Sequence, residues 1–433
     1  SSGCHDHDKL KIFLDWFVAF RDPREIWEKH PTFLLGECMF YLLALLTLVH
    51  ALRHGGRFAY LWLAVVMHGL TVEMVSYWVP DIDNFWHAQT MIMFLGKRLP
   101  LYVVYPVFIY TASVAVSKLR LPSWSEPFAV GLSVVLLDVP FDIIGIKHLW
   151  WTWHDTDPNI FDRHYWVPWT SYYFHASFAC SFTILFHGTR WLLTKREKFE
   201  SVMYQKDNLE MTCNIITGVF SMPMGVLQFL PLYHPLHDML KLHTEVCVLL
   251  LIGIYIVMVW SGDRSPDSSA RTNRGWYWLK NDFSFTGNWL DEIGWVVFLH
   301  YSFYILLVSF GMPEKIQSVG LHEMTGPCGE TESVRTAFGQ VLSKKKYLCT
   351  ENYDEGYFDF KCLKAPPANG LDWYTICGNS YPNYEEYVIV VMAFCCLGFF
   401  VYWQMLANSD TLSSQERIGT AKHGTKPNNL YHL

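Results

Sequence analysis

The sequence predicts an all-α membrane protein with about nine transmembrane helices and a disulfide-bonded loop on the extracellular or lumenal side. Of the 433 residues, 51% are hydrophobic and only 17% are charged, whereas soluble domains carry roughly 25% charged residues. Apolar runs about 20 residues long recur, and each is long enough to cross a bilayer as a helix. An ordinary cytosolic protein is thereby excluded. The net charge of −7 and the lack of a lysine/arginine block also predict no nucleic-acid partner.

The nine predicted spans are helices, because a spanning segment must satisfy its own backbone groups and no barrel-like alternation is visible. They lie near residues 33–52, 58–79, 99–118, 127–150, 166–193, 211–230, 242–260, 290–310 and 384–406. The chain therefore divides into an N-terminal segment with an interfacial helix (1–32), an eight-helix core (33–311), a cysteine-containing loop (312–383), a ninth helix (384–407) and a tail (408–433).

The distribution of lysine and arginine predicts the orientation. The short connections on one face hold sixteen of them and those on the other face hold ten, which places the C-terminus in the cytosol. An odd number of spans then places the N-terminus outside or in a lumen, as in a protein of the plasma membrane or secretory pathway. The first residue is not Met, which fits removal of a signal peptide and fits a sequence that begins part-way along its protein equally well.

The cysteines support the same orientation. Six of the eleven fall inside predicted spans, and Cys328, Cys349, Cys362 and Cys377 lie together in the 312–383 loop. On an extracellular or lumenal face these four predict two disulfides, with three pairings open. Their spacing is not that of the close cysteine pairs in zinc sites. Cys4 is left over, and it could be free, cross-linked to another chain or paired with the loop.

Residues 8–21 carry an apolar helical stripe, formed by Leu10, Phe13, Leu14, Phe17 and Phe20. Such a stripe is typical of a helix that lies along a membrane interface. The alternative is that it packs on the protein's own loops.

Ionisable side chains inside the predicted spans mark a candidate site. The second span carries His68 and Glu73, the fourth Asp138 and Asp142, and the fifth His175. Each acid facing lipid would cost about 2.5–3.5 kcal/mol, so we expect the three acids to face the bundle interior. The alternative role is structural, since polar contacts between helices are common in membrane folds.

Asp138 and Asp142 lie four residues apart, which places both carboxyls on one helix face. Because two negative charges this close in a low dielectric are unfavourable, we expect the pair to share a proton and to act as a proton donor. The aromatic stretch that follows contains Trp151 and Trp153. Its rings either form an interfacial belt or wall a cavity suited to a carbocation or polyene.

No metal or other cofactor is predicted. The best local support for a metal is HPLHDMLKLH, which contains His234, His237 and His243 and precedes Glu245. The histidine boxes of membrane di-iron oxygenases are missing, however, and Pro235 disfavours helical presentation of these side chains. No nucleotide-binding loop or serine-hydrolase motif occurs.

Two stretches together resemble the carotenoid hydratase family, integral membrane enzymes that add water to a terminal double bond of lycopene-like chains. The first is HGLTVEMVSYWVPDIDNFWHAQTMIMFLGKRLPLYVVYPVFIY, with Glu73 at the family's glutamate. The second comprises GLSVVLLDVPFDIIGIKHLWWTW and HYWVPWTSYY, with Asp138, Asp142, Trp151 and Trp153 at the family's aspartates and W-x-W end. The resemblance covers about residues 65–175, and the 312–383 loop has no counterpart.

The resemblance implies acid-catalysed hydration or isomerisation of an isoprenoid-like lipid. One aspartate would protonate the alkene, Glu73 would position water or take its proton, and Trp151 and Trp153, together with His68 and His175, would contact the substrate. The rival hypothesis is a non-catalytic subunit that binds a lipid, or a protein partner through the 312–383 loop. A proton-coupled transporter is a third possibility.

Overall fold

The computed structural model describes residues 11–79, 84–101, 103–119, 121–154, 158–193, 207–264, 291–336, 338–353 and 355–423, and 64% of it is helical. The helices are α1 (Pro23–Lys29), α2 (Pro31–His54), α3 (Arg57–Trp78), α4 (Val104–Ser117), α5 (Glu126–Lys147), α6 (Trp169–Leu193), α7 (Asp207–Tyr233), α8 (Thr244–Asp263), α9 (Glu292–Phe310) and α10 (Tyr384–His423). Cys4, Leu10 and most of the segment between α8 and α9 lie outside the described residues.

Short strands gather at one end of the helices, which we call the loop end because the 312–383 loop lies there. They are β1 (Val18–Phe20), β2 (Phe85–His87), β3 (Ile92–Phe94), β4 (Leu99–Pro100), β5 (Trp151–Trp153), β6 (Arg163–His164), β7 (Val167–Pro168), β8 (Gln317–Leu321), β9 (Thr331–Arg335), β10 (Val341–Lys345), β11 (Phe358–Asp359) and β12 (Trp373–Gly378). Their antiparallel pairings join β1-β3-β4, β2-β5, β6-β7, β9-β10 and β8-β12-β11.

Contacts between helix ends show that α2 to α10 run alternately between the loop end and the opposite end. Strands β2 and β5 follow α3 and α5 and pair with each other, so both helices finish at the loop end and α4 must run the other way. Thr244 at the start of α8 hydrogen-bonds to Asp162, just before α6. At the opposite end, Arg53 near the end of α2 pairs with Glu292 at the start of α9. Within the described residues these nine helices form an antiparallel bundle.

Seven of these helices are long and apolar enough to cross a membrane: α2, α3, α5, α7 (with the turn through Met239), α8, α9 and α10. Helix α4 has only 14 residues, because Leu99 and Pro100 of the expected 99–118 span form strand β4 instead. Helix α6 has 25 residues but many hydroxyl and histidine side chains. It begins three residues later than expected, after strand β7.

Helix α5 is the centre of the bundle. Of its most apolar window 89% is buried, compared with 28% for α8. Phe141 on this helix packs its ring 4.8 Å from the Trp151 ring, and Gly145 makes room for the same indole, since a Cβ there would lie 2.2 Å from it. The α5 helix therefore holds strand β5 against the bundle.

The 312–383 loop is a folded, disulfide-linked unit. The bonds are Cys328–Cys349 and Cys362–Cys377, which confirms the predicted disulfides and fixes the pairing that the sequence left open. The unit also docks on the bundle: the Tyr357 hydroxyl donates to the Trp153 carbonyl at 2.7 Å. The loop is thus attached to the strand that follows α5.

The N-terminal segment is helical over residues 11–17 and then forms β1. Its backbone bonds to the segment after β3, with Leu95 N donating to the Phe17 carbonyl at 3.2 Å. Phe13, Leu14 and Phe20 nevertheless remain exposed. The segment therefore packs on the protein's own loop on one side and presents apolar side chains on the other.

Candidate functional site

A cavity of about 230 Å³ lies between α3, α4, α5, α6 and α7, in the half of the bundle nearest the loop end. Its walls are largely aromatic, with Phe85, Tyr105, Phe108, Phe141, Trp151, Trp153, Phe174 and Phe178. Its polar lining consists of His68, Glu73, Ser76, Asn84, His87, Asp142, Thr170, Ser171 and His175. Six of the seven predicted catalytic and substrate-contacting residues therefore line one cavity, and the seventh, Asp138, lies beside them.

Asp138, Asp142 and His175 form what we call the pocket cluster. One ligand atom from each lies within 4.8 Å of the others. His175 Nε2 is 3.1 Å from Asp138 Oδ1, and Ser171 Oγ donates to Asp142 Oδ2 at 2.7 Å. The four-residue spacing on α5 places both carboxyls on the face that meets α6.

Asp138 is the least satisfied member of the pocket cluster. It is fully buried, yet neither of its carboxylate oxygens accepts a hydrogen bond from a donor group of the described residues. The 3.1 Å approach of His175 does not have hydrogen-bond geometry. A buried polar atom without a partner is costly and uncommon. This carboxyl therefore has free capacity to hold a proton or to bind a ligand.

Glu73 reaches the same cavity from α3. The Tyr105 hydroxyl of α4 donates to Glu73 Oε1 at 3.4 Å, and His87 Nε2 of strand β2 lies 3.6 Å from Oε2. The carboxyl is only partly buried, unlike the aspartates. The cavity therefore has one partly exposed acid and a deeper pair of acids.

His68, Trp151 and Trp153 complete the predicted set. His68 is fully buried, and its Nδ1 lies 2.7 Å from Ser221 Oγ of α7. The Trp151 and Trp153 rings meet edge to face, with centroids 5.7 Å apart. Both indoles line the cavity, so the cavity-wall alternative describes them, whereas neighbouring Trp150 is fully buried in the core.

Tyr105, Ser171 and His87 are pocket residues that sequence reasoning missed. Each contacts one of the acids, but each lies on a different element from the acid that it contacts. The only available signal was the position of Ser171 directly after the VPWT turn. Contacts of this kind depend on how neighbouring helices are aligned, which residue spacing does not specify.

A second set of acids and histidines lies at the loop end, and we call it the loop-end cluster. It contains the histidines singled out in the sequence and comprises Asp162, His234, His237, Asp238 and His243. Asp238 accepts from His234 at 2.5 Å and from His237 at 2.8 Å. His237 and His243 each lie 3.4 Å from Asp162. No buried side-chain nitrogen or oxygen of these five residues lacks a partner within the described chain.

Asp162 binds the start of α8 to this cluster. Its Oδ2 accepts from the backbone N–H of Thr244 at 2.7 Å and from the hydroxyl of Thr244 at 2.8 Å. Burial alone would raise the pKa of Asp162, but hydrogen bonds from His237 and from both groups of Thr244 outweigh it and hold the pKa well below its usual range. The residues from His234 to Met239 form a π-helical turn, so the proline does not prevent their side chains from converging.

Fold and site together define a class: an α-helical bundle with seven helices able to cross a membrane and an acidic, aromatic-walled cavity between them. The chain belongs to the family described as a domain of unknown function, DUF7802, whose sequence model matches residues 7–407. Comparison with curated proteins and comparison with solved structures each found no match. The matched residues include the cavity, the disulfide-linked loop and nearly all of the helical bundle.

Proposed function

We propose that this protein is a multi-pass membrane enzyme that binds an isoprenoid-like lipid in the cavity and hydrates or isomerises one of its double bonds. One observation carries the proposal: Asp142 and Glu73, two acids from different helices, line the same aromatic-walled cavity. An apolar cavity with a few converging polar groups is the usual form of a small-molecule site. The resemblance to carotenoid hydratases over residues 65–175 supports acid-catalysed hydration or isomerisation as the type of reaction.

All nine alternating helices cross the membrane in this proposal, with the loop end outside or in a lumen and the C-terminus in the cytosol. The two disulfides support this orientation, since such bonds persist in oxidising compartments. Helices α4 and α6 also cross the membrane in this proposal. Each connects two membrane-crossing helices that run in the same direction, so the chain must return across the membrane between them.

The residues have distinct roles in the proposed reaction. The Asp138/Asp142 pair donates a shared proton to one carbon of the double bond. The π electrons of that double bond form the new C–H bond, and the other carbon becomes a carbocation. Aromatic faces, those of Trp151 and Trp153 included, shield the resulting carbocation. In hydration, water then attacks the cation and Glu73 takes the released proton. In isomerisation, the cation loses a proton from a neighbouring carbon instead.

The size of the cavity indicates how much substrate it encloses. Pockets for drug-sized ligands have volumes of roughly 300–1,000 Å³, and this cavity has about 230 Å³. It therefore suits the end of a chain rather than a whole long polyene, with the remainder of the lipid leaving between the helices. This fits chemistry at a terminal double bond.

The experiment compares lipids extracted from membranes containing the wild-type protein, Asp138→Asn or Glu73→Gln, using mass spectrometry. We expect a product 18 mass units heavier than its precursor for hydration, or an isomer of equal mass, in the wild type alone. Asp372→Asn, which alters an exposed acid of the 312–383 loop, serves as the control and should keep the product.

The second candidate is a non-catalytic lipid-binding or partner-binding subunit. The folded 312–383 unit favours it, because the β9-β10 hairpin is largely exposed and carries Lys344 and Lys345. The same lipid recovered unchanged from all variants would favour this candidate and contradict catalysis. Loss of a co-purifying protein on replacement of the hairpin by a short linker would identify the hairpin as the binding surface.

A further inference from the structure

The pocket cluster has the ligands and the unmet bonding capacity of a divalent cation site. From its geometry we propose that Asp138, Asp142 and His175 bind one divalent metal ion at the deep end of the cavity. The sequence directed attention to the histidines of the loop-end cluster instead, and those side chains already bond to one another.

The distances suit a shared ion. The three ligand atoms lie within 4.8 Å of one another, and two ligands each ~2.1 Å from a cation lie between ~3 and ~4.2 Å apart. His175 Nε2 and Asp138 Oδ1 are 3.1 Å apart, as expected of two adjacent ligands. Closing the remaining gap requires side-chain movements of several tenths of an ångström.

The direction of these groups gives independent support. His175 Nε2 and Asp138 Oδ1 are within hydrogen-bonding distance, but the ring N–H does not point at the oxygen. Two ligands of one ion behave in this way, because both aim at the ion rather than at each other. Both oxygens of the fully buried Asp138 also lack a donor among the described residues.

The charge balance points the same way. Among the ion pairs of the described residues, neither aspartate pairs with a lysine or arginine, and the one contact of Asp138 is with His175, an imidazole that is neutral as a metal ligand. Two ionised carboxylates in a low dielectric require compensation, which a divalent cation provides completely. Ser171 is not one of the proposed ligands, but its hydroxyl donates a hydrogen bond to Asp142 and fixes the orientation of that carboxylate. Metal ligands are commonly oriented by such hydrogen bonds.

The ligand types narrow the choice of metal. One imidazole with two carboxylates suits Mn²⁺, Fe²⁺ or Zn²⁺, whereas Mg²⁺ and Ca²⁺ prefer oxygen ligands alone. Three protein ligands leave coordination positions open, and the cavity borders Asp142 and His175. Such open positions are typical of reactive rather than purely structural metal sites.

The inference does not rest on the proposed reaction, since an ion can bind here whether or not the cavity performs chemistry. The ion and a shared proton compete for the same carboxyls. With the ion bound, Glu73 is the acid of the cavity that remains free to exchange protons.

The test is Mn²⁺ binding to the purified full-length protein in lipid nanodiscs, followed by electron paramagnetic resonance, together with measurement of the metal content by mass spectrometry. We expect one ion per chain in the wild type. Asp138→Asn and His175→Gln should weaken Mn²⁺ binding by about 100-fold or more. Asp138→Glu keeps the charge and should retain part of the affinity, which separates loss of a ligand from loss of folding.

Two controls complete the experiment. His243→Gln removes a histidine of the loop-end cluster, and Glu73→Gln removes a cavity acid outside the ligand set, so both should bind Mn²⁺ like the wild type. Equal binding by every variant, or no saturable binding of Mn²⁺ or Zn²⁺ by the wild type, would overturn the proposal.

Discussion

The pocket cluster and the loop-end cluster contain the same residue types in opposite states. In the loop-end cluster each aspartate accepts from two or more partners, and His237 bridges the two aspartates. In the pocket cluster Asp138 is more deeply buried than Asp162, yet it has no hydrogen-bond donor among the described residues. Satisfied polar groups stabilise a fold, whereas an unsatisfied buried carboxyl costs stability and is retained where it has another use. The comparison therefore supports a structural role for the loop-end cluster and the proposed functional role for the pocket cluster.

The largest expected effect is on stability at the loop end. Asp162→Ala removes the acceptor for Thr244 and the partner of His237 and His243. We expect it to destabilise the protein by about 2–4 kcal/mol, since it breaks several charge-assisted hydrogen bonds. Thermal unfolding in nanodiscs measures this, with Asp372→Ala in the 312–383 loop as a control for loss of an acid. Unfolding temperatures equal to the wild type would contradict a structural role.

The next effect has the opposite sign. Asp138→Asn removes a buried ionisable group without changing its shape, so we expect the protein to be unchanged or up to about 1–2 kcal/mol more stable. The lipid product and Mn²⁺ binding should be lost in the same variant. A marked drop in the unfolding temperature would instead show that Asp138 holds the helices together.

The pH dependence of stability sharpens the comparison at the loop end. The pKa of Asp162 is held below its usual range in the folded protein, so its contribution is complete above the unfolded-state pKa of about 3.9 and is lost as the pH falls through the folded-state value. The hydrogen bond to Asp162 is also the first cause of the raised pKa of His237, and that contribution is complete below the unfolded-state pKa of about 6.5 and is lost as the pH rises through the folded-state value. The difference in unfolding temperature between the wild type and Asp162→Asn should therefore grow as the pH falls through the histidine range, level off near about pH 5, and shrink only in stronger acid. A difference that shrinks between about pH 7 and pH 5 would have the wrong sign.

The smallest expected effect is that of Ser171→Ala, which removes the hydroxyl that donates to Asp142. One hydrogen bond is worth about 0.5–1.5 kcal/mol, so the loss of stability should be modest. If Asp142 is a metal ligand, however, Mn²⁺ binding should weaken by about 10-fold or more, because its orientation is released. Ser177→Ala, six residues further along α6, is the matched control and should leave Mn²⁺ binding unchanged.

Much of the fold followed from local properties of the chain. Apolar runs of sufficient length located the bundle helices to within a few residues, and the four loop cysteines predicted two disulfides, which are confirmed. Helix α4 was predicted too long because Leu99 and Pro100 are as apolar as the helix, although they pair with strand β3. The disulfide pairing could not be predicted, since it depends on which strands of the loop become neighbours.

The site was predicted from the cost of placing charge in lipid, which requires Glu73, Asp138 and Asp142 to point inward. That argument could not identify Tyr105 or Ser171, because tyrosine and serine carry no such cost and occur throughout the spans. For a metal, which the sequence did not predict, closeness along the chain made His234, His237 and His243 the most conspicuous histidines, whereas the proposed ligand His175 stood apart from other candidates. His175 lies 37 residues from Asp138 and meets it only because α5 and α6 pack together.

The sequence by itself determined that this chain forms apolar helices with buried acids and two disulfides in the 312–383 loop, because hydrophobicity, charge and thiol position are properties of single residues and short segments. Only the tertiary structure decided which acids meet which histidines, and which of them remain without partners. The physical reason is that hydrogen bonds extend about 3 Å, so whether a buried carboxyl is satisfied depends on the alignment of helices that lie far apart along the chain.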